Sequence, residues 1–373
     1  MFTADDHQFM ARALQLAARG LYTTDPNPRV GCVLVRNGQV LGEGWHERAG
    51  EAHAEIIALR QAGERAAGAT AYVTLEPCCH HGRTPPCSQA LIAAGVSRVI
   101  AAIQDPNPLV AGNGLAELQA AGILTASGLL ADEAQRLNPG FVMRMRHGRP
   151  WVRCKLAMSL DGRTAMESGE SRWITGEAAR RDVHHLRARS SAILTGIGTV
   201  LADDPSLTVR LGGNDAVSFL QPLRVIIDSR LRTPPTAKLL GLPGETLILT
   251  GSMDPQRVAM LSRPGVSVDT LPLDAAGRLD LRAVLRYLGD TGINEVHVEC
   301  GAILNGALIA DRLIDELVIY MAPHLMGDAG PGLFALPGLQ HMAQRIRVSI
   351  QDVRAVGEDL RITARLAEQA DTS

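Results

Sequence analysis

Charge of one sign, cysteine, long apolar runs and internal repeats are all scarce in this chain of 373 residues, and each scarcity excludes a class of function. Lysine and arginine number 37 against 39 aspartate and glutamate, a formal net charge of -2, so no long-range field draws the protein to nucleic acid or to an anionic membrane. A small-molecule substrate fits that balance. No segment stays apolar for the roughly 18 residues that suggest a membrane-spanning helix. The start, "MFTADDHQFMARALQLAARG", has early acids and a helical spacing where a secretory leader would have a basic start and an apolar core. A soluble, cytoplasmic protein is expected. Six cysteines in this length are too few for a disulfide scaffold, and three of them crowd into residues 78 to 87, which points to metal binding or catalysis. With no repeat, low-complexity tract or charge block, and with 46% hydrophobic residues, the length suits two compact cores.

The chain that remains alternates strand-like and helix-like segments. "RVGCVLVRNGQVLGEGWH" is two β-rich runs joined by Asn37-Gly38, the dipeptide best suited to a two-residue hairpin turn. A helical pattern from about His53 to Arg65, a strand "AYVTL", a helix "SQALIAAG", a strand "RVIAAI" and a helix "GLAELQAAG" follow, and that order predicts a mainly parallel sheet covered by helices. The pattern breaks at Gly148 and Pro150, so domains are expected over 1–146 and 149–368. Beyond the break, "AILTG", "LRVIID", "TLILTG" and "EVHVEC" read as buried strands and "LRAVLRYLGD" and "GALIADRLI" as helices. "ELVIYMAPHLMG" and "RVSIQDVRAVGEDLRITARL" read as late strands, the last two an antiparallel pair.

The crowd of cysteines carries chemistry when taken with His53. His53 stands where a helix begins, Cys78 follows a strand and Pro77, and Cys87 opens the next helix. Three N/S ligands would hold zinc and leave a fourth position for water, the arrangement of catalytic rather than structural sites. Such a water has a pKa near about 7. Glu55, two residues from the histidine, can then act as general base and general acid, and the set can hydrolyse an amino group from a heterocycle. Cys79, His80 and His81 are local alternatives as ligands. A closed site using Cys79 or His80 would instead make a zinc-stabilised binding module. Cys32, Cys154 and Cys300 lie in apolar strand-like runs and read as small buried hydrophobes.

The pattern H-x-E followed by P-C and a second cysteine resembles the zinc-dependent cytidine-deaminase-like superfamily. The two cysteines stand nine apart here, with "CHHGRTPP" between them. That insertion, with "PNPRVGCVLV" and "GEGWHERAGEAHAE", is similar to the deaminase half of the bifunctional riboflavin-biosynthesis deaminase/reductase family. "KLAMSLDGRTA", "ESRWITG", "RARSSAILTGIGTVLADDPSLTVR" and "VECGAILNGAL" resemble its reductase half. The resemblance implies an α/β protein, a cytidine-deaminase-like three-layer domain followed by a dihydrofolate-reductase-like domain. It places Cys78 and Cys87 on the metal and leaves Cys79 a spectator. It implies a phosphorylated pyrimidine substrate, and a homo-oligomer, a dimer by preference, without nucleic-acid or membrane partners. A nucleoside or tRNA deaminase with an appended domain is the alternative enzyme, against which the near-neutral charge and the second domain's motifs argue.

For the first domain, Asn27 is a candidate reader of the pyrimidine edge, His46 a neighbour of the zinc ligands by family match, and Arg83 a candidate holder of the substrate phosphate. "QDPNPLVAGNG", 104 to 114, is a possible further wall. The second domain lacks a G-x-G-x-x-G fingerprint after its first strand. Instead "LTGIGT" and "ECGAILNG" place glycines where phosphates can approach backbone N–H groups. The resemblance makes these an NADPH site, with Ala157, Trp173, Thr199 and the turn of Gly301, Ala302, Ile303, Leu304, Asn305 and Gly306 toward cofactor. Ser171, Arg187, Asp203, Leu207, Arg210 and Glu299 fall toward substrate. Ser229 and Arg230 are candidates for the ribose phosphate that distinguishes NADPH. Lys155 and Asp161, taken to flank the first reductase strand, order the site or form an internal ion pair.

Overall fold

Asn37 and Gly38 both take left-handed backbone, with φ of 53° and 75°, and so close the hairpin that founds the first sheet. Its strands are β1 (Gly31–Arg36) and β2 (Gln39–Trp45). The computed structural model describes residues 1–79, 86–108, 110–212, 219–252 and 254–367. The chain divides into two units, the first ending at Gly148 and the second beginning at Arg149.

In the first unit α1 (Ala4–Ala18) starts at a capping box between Thr3 and Asp6. It lies directly on β1, where a Cβ at Gly31 would come within 2.0 Å of the Ala13 carbonyl oxygen. The chain then runs through α2 (Ala54–Ala62) to β3 (Thr70–Val73), α3 (Cys87–Ala93), β4 (Arg98–Ala101), α4 (Asn113–Ala120) and β5 (Leu124–Ser127). It ends in α5 (Ala131–Leu137) and α6 (Pro139–His147). The sheet order is β2-β1-β3-β4-β5. Alternation along β1 sends Cys32 and Leu34 into one apolar layer, with the Ala54–Ala58–Ala62 stripe of α2, and Val33 and Val35 into the other, with Met10 and Phe141. The expectation of a mainly parallel sheet needs correcting here, because β1 is antiparallel to both β2 and β3 and only β3–β4 and β4–β5 are parallel. The crossover through α2 joins two strands that keep one direction, and the hairpin partner β1 fills the slot between them.

The second unit is built on a nine-stranded sheet of order β10-β9-β8-β7-β11-β6-β12-β14-β13. Its strands are β6 (Trp151–Ser159), β7 (Ala192–Gly196), β8 (Leu223–Ile227), β9 (Thr246–Thr250), β10 (Val266–Thr270), β11 (Glu295–Val298), β12 (Glu316–Ala322), β13 (Val348–Val356) and β14 (Asp359–Leu366). From β10 to β12 every pairing is parallel, and β14 and β13 add antiparallel. One face is apolar, with Val152, Cys154, Val296 and Val298 under α10 (Leu281–Asp290) and α11 (Ala302–Ala310). The opposite face carries Arg153, buried and paired with Glu295 and Glu316. On that side α7 (Glu177–Ala188) seats Ala179, Val183 and Leu186 against Val318 and Tyr320. The short helices α8 (Ile197–Asp203) and α9 (Pro255–Leu261) complete the set.

Three local expectations change. The helix expected over 306–314 stops at Ala310, because Arg312 turns to φ 55°. Lys155 sits inside β6 rather than flanking it, and no pairing joins it to Asp161, whose carboxylate accepts from the backbone of Met326 and Gly327. Cys300 lies past the end of β11 and is only half-buried, its thiol donating to Asn305 Oδ1 at 2.9 Å.

Candidate active sites

The first site forms where β2 and β3 hand over to α2 and α3. His53 is the residue before α2, and its side chain caps no backbone group, so the ring is free for another partner. Cys87 is the first residue of α3, and Cys78 lies in the loop after β3. The ligand atoms of His53, Cys78 and Cys87 all fall within 4.8 Å of one another. His53 Nδ1 is 3.2 Å from Cys87 Sγ and 3.6 Å from Cys78 Sγ. Nitrogen and sulfur on one tetrahedral zinc ion would stand about 3.5 Å apart, so the donor set fits that metal in type and spacing. The Cys87 thiol bonding to Cys78, then His53 and the Cys87 backbone N–H, bring the Cys78 thiol down to about 4 against the opposing effect of burial, while Cys87 is pushed well up.

Glu55 occupies the first turn of α2 and is buried. Burial drives its carboxyl up to about 7; His53 opposes the rise and the charge of Cys78 adds to it. A carboxyl that titrates near neutrality beside a metal site can both take and return a proton. His46 stacks edge-on to His53 with ring centroids 5.5 Å apart. Its Nδ1 meets the Ala52 carbonyl at 3.2 Å, which requires the proton there, and burial lowers its pKa, which keeps the ring neutral. Nε2 is then the acceptor for the Asn27 amide at 3.1 Å. Asn27 and His46 are therefore joined to each other at the edge of the metal cluster.

Among the described residues the donor group has three members, and Cys79 is outside it. Arg83, His80 and His81 lie outside the described residues. Sequence reasoning missed Glu76. Its buried carboxylate accepts from the backbone N–H groups of Asp105, Gly112 and Leu115, so it ties the 104–114 wall to the metal loop. Gly114 makes that approach possible, since a Cβ there would be 2.0 Å from the Pro77 carbonyl oxygen. The signal available was the acid beside Pro77 and Cys78.

The second unit holds a cavity of about 700 Å³. Thr199, Ser229, Gly301, Ala302, Ile303 and Leu304 line it, as does Asp203. Asn305 and Gly306 are absent from the wall. Asn305 is buried, accepting from the Cys154 and Cys300 thiols, and Gly306 lets α11 press against the Ala335 carbonyl. Ala157 lies in β6 and Ser171 and the exposed Trp173 in the stretch before α7, where Arg180 covers the indole at 4.7 Å. Arg230 is not in the lining, whereas Arg232 is. Arg187 and Glu299 form a two-pronged ion pair, Nη2 to Oε2 at 2.9 Å. Burial alone would raise Glu299, but Arg187 and His297 outweigh it and hold the carboxyl well below its ordinary range. Lys155, also on β6, is pushed down by burial, with Glu299 opposing.

Comparison with known proteins accounts for both units. The family model described as "Cytidine and deoxycytidylate deaminase zinc-binding region" matches residues 3–103, and "RibD C-terminal domain" matches 150–362. The curated "Riboflavin biosynthesis protein RibD" of Escherichia coli (strain K12) is 52% identical over 367 residues, 95% of this chain and 98% of that protein. The solved structure of Acinetobacter baumannii RibD, form 1, is 46% identical with a TM-score of 0.90, covering 98% of this chain and 99% of that one. A Thermotoga maritima structure described as a diaminohydroxyphosphoribosylaminopyrimidine deaminase/5-amino-6-(5-phosphoribosylamino)uracil reductase is 31% identical, with a TM-score of 0.86 and coverage of 97% and 99%.

Proposed function

The chain belongs to the bifunctional riboflavin-biosynthesis deaminase/reductase family, and from that premise we propose how its own residues divide the two reactions. The protein is a zinc-dependent deaminase and an NADPH-dependent reductase. The substrate is a diaminopyrimidinone bearing a phosphoribosylamino group, the class named in the description of the Thermotoga maritima structure. The observation that carries the first assignment is the convergence of His53, Cys78 and Cys87 beside a buried Glu55. When bound, zinc supplies the Lewis acidity that makes water nucleophilic at neutral pH. Glu55 takes a proton from that water and passes one to the departing amino nitrogen, so that a ring C–N bond is replaced by C–O and ammonia leaves. Asn27, its amide N–H spent on His46, keeps its carbonyl oxygen to accept from the pyrimidine edge. Arg83 is the assigned holder of the substrate phosphate.

In the reductase, NADPH when bound supplies a hydride to C1′ of the ribose, which opens to a ribityl chain. Ala157, Trp173, Thr199, Ser229 and the turn from Gly301 to Gly306 are assigned to the cofactor, with Asn305 and Gly306 shaping that turn from behind. Ser171, Asp203, Leu207, Arg210, Arg187 and Glu299 are assigned to the substrate side, where the last two fix each other's charge. The domains, 1–146 and 149–368, are taken as separately folding parts. No helix among the described residues is long and apolar enough to cross a membrane, and we place the enzyme in the cytoplasm. A second copy is the assigned partner, supported by β13, which forms the sheet edge with Val348, Ile350 and Val353 exposed.

The testing experiment measures ammonia release and NADPH oxidation on the pyrimidine substrate with and without a chelator. Ammonia release should fall with zinc content, and NADPH oxidation on already deaminated substrate should not. Loss of both activities on chelation, or of neither, would reject the division of labour.

A further inference from the structure

Residues 207–210 hold no helix or strand, yet their backbone is fixed from several sides. Leu207 is buried at φ 46°, a left-handed conformation that a residue with a side chain keeps only where its surroundings impose it. The next three residues show what imposes it. The Thr208 carbonyl accepts from Arg187 Nη1 at 2.9 Å. Val209 donates its N–H to Gln221 Oε1 and accepts from Gln221 Nε2, both at 3.0 Å, so one amide side chain pairs with it as a neighbouring strand would. Arg210 donates its backbone N–H to His184 Nδ1 at 3.2 Å. Burial, with the charges of Arg187 and Arg210, lowers His184 to about 4, which leaves the ring neutral near pH 7, and the Arg210 N–H fixes Nδ1 as its unprotonated nitrogen. Four backbone groups that water would otherwise solvate are thus satisfied by three side chains. The Arg210 guanidinium, by contrast, has no hydrogen bond or ion pair among the described residues. A cation without such a partner among the described residues, carried on an immobilised backbone, suits an anion that arrives from solution.

We propose that Gln221 and His184 are positioning residues of the reductase, setting the backbone of 207–210 so that Arg210 meets the phosphate-bearing end of the substrate. The inference rests on the assignment of Arg210 to the substrate. Neither residue touches the reacting atoms; each acts through Arg210. Both belong to the clamp that Arg187 continues into its pair with Glu299.

The test is a double-mutant cycle on the full-length enzyme, with NADPH oxidation followed on deaminated, phosphorylated substrate. Arg210→Ala should raise the KM for this substrate by about tenfold or more, with kcat within about twofold and the KM for NADPH unchanged. Gln221→Ala should raise the same KM by a comparable factor, and the double variant should be no worse than Arg210→Ala alone. His184→Asn, whose Oδ1 can stand in for Nδ1, should keep the KM that His184→Ala loses. That comparison also decides the matter if Gln221→Ala fails to fold. A flat response to Arg210→Ala overturns the substrate assignment. A normal response to Arg210→Ala together with independent, multiplying losses in the double variant, or with no rescue by His184→Asn, overturns the positioning role alone.

Discussion

The two units treat buried charge in opposite ways. In the first, Glu55 is buried and the nearby His53 does not offset that burial, so its carboxyl is left at about 7. In the second, Glu299 is half-buried but is gripped by Arg187 and neighboured by His297 at 3.3 Å, so it stays ionised. The difference suits the tasks proposed for the two groups. A group that must take and give back a proton has to be poised between its states, whereas a group that shapes a binding site has to hold one state. The first site is accordingly compact, its candidate ligands drawn from two helix starts and a loop. The second is spread from β6 to α11 and needs charges that order one another.

The sharpest test of that contrast is Glu55→Gln, which preserves shape and removes the proton carrier. Deamination should fall by a factor of about 100 to 10,000, with zinc content and NADPH oxidation unchanged. Deamination within tenfold of the parent would show that the poised carboxyl is not the shuttle. Removing one member of the paired site should act on stability instead. Glu299→Gln leaves the Arg187 guanidinium, whose side chain is 13% exposed, without its counter-charge, and should cost the second unit about 3 kcal/mol. Differential scanning calorimetry that found the second unit's transition unmoved would remove the pair from the scaffold.

A smaller effect is expected from pH alone. A carboxylate with a depressed folded pKa contributes stability that is present above its ordinary value of 4.5 and is lost as pH falls through the folded value. Glu299 and Glu316 are both depressed, since Arg187 and Arg153 respectively outweigh the burial that would raise them. The second unit should therefore weaken progressively below about pH 4. A denaturant midpoint for that unit that stays level from pH 6 to about pH 3 would contradict the pairing. The smallest change belongs to Cys79→Ser, which should leave zinc stoichiometry where it was, because the thiol lies outside the donor cluster. Metal loss in that variant would revive the closed-site alternative.

The clustering at the first site was legible because its candidate ligands lie close together along the chain and at places the local pattern identifies. His53-x-Glu55 opens a helix, and Cys78 and Cys87 bracket a Pro-rich loop. The hairpin was legible from Asn37-Gly38 for a similarly local reason. Among the elements passed over were β5, α5, β10, α7 and α9. Strands β5 and β10 form edges of their sheets and are nowhere fully buried, so neither has the apolar run that marks an inner strand. Helix α7 buries only Ala179, Val183, Leu186 and Ala188 and spends much of its surface on charge, because His184 and Arg187 face the 207–210 segment.

Residue types and short spacings determined by themselves that His53, Cys78 and Cys87 were candidates for one soft-donor cluster with a carboxylate nearby, where the hairpin turned, and that a second set of elements began near Gly148. Those properties depend on side chains a few positions apart, whose relative placement the local backbone already limits. Only the tertiary structure decided that β11 would enter between β7 and β6, bringing Glu299 to Arg187 across 112 positions of chain. It likewise decided that Glu76 would hold the wall at Gly112 and that Gln221 would pair with Val209. Strand order is settled by which faces can be buried together, and no window of sequence contains both partners of such a choice.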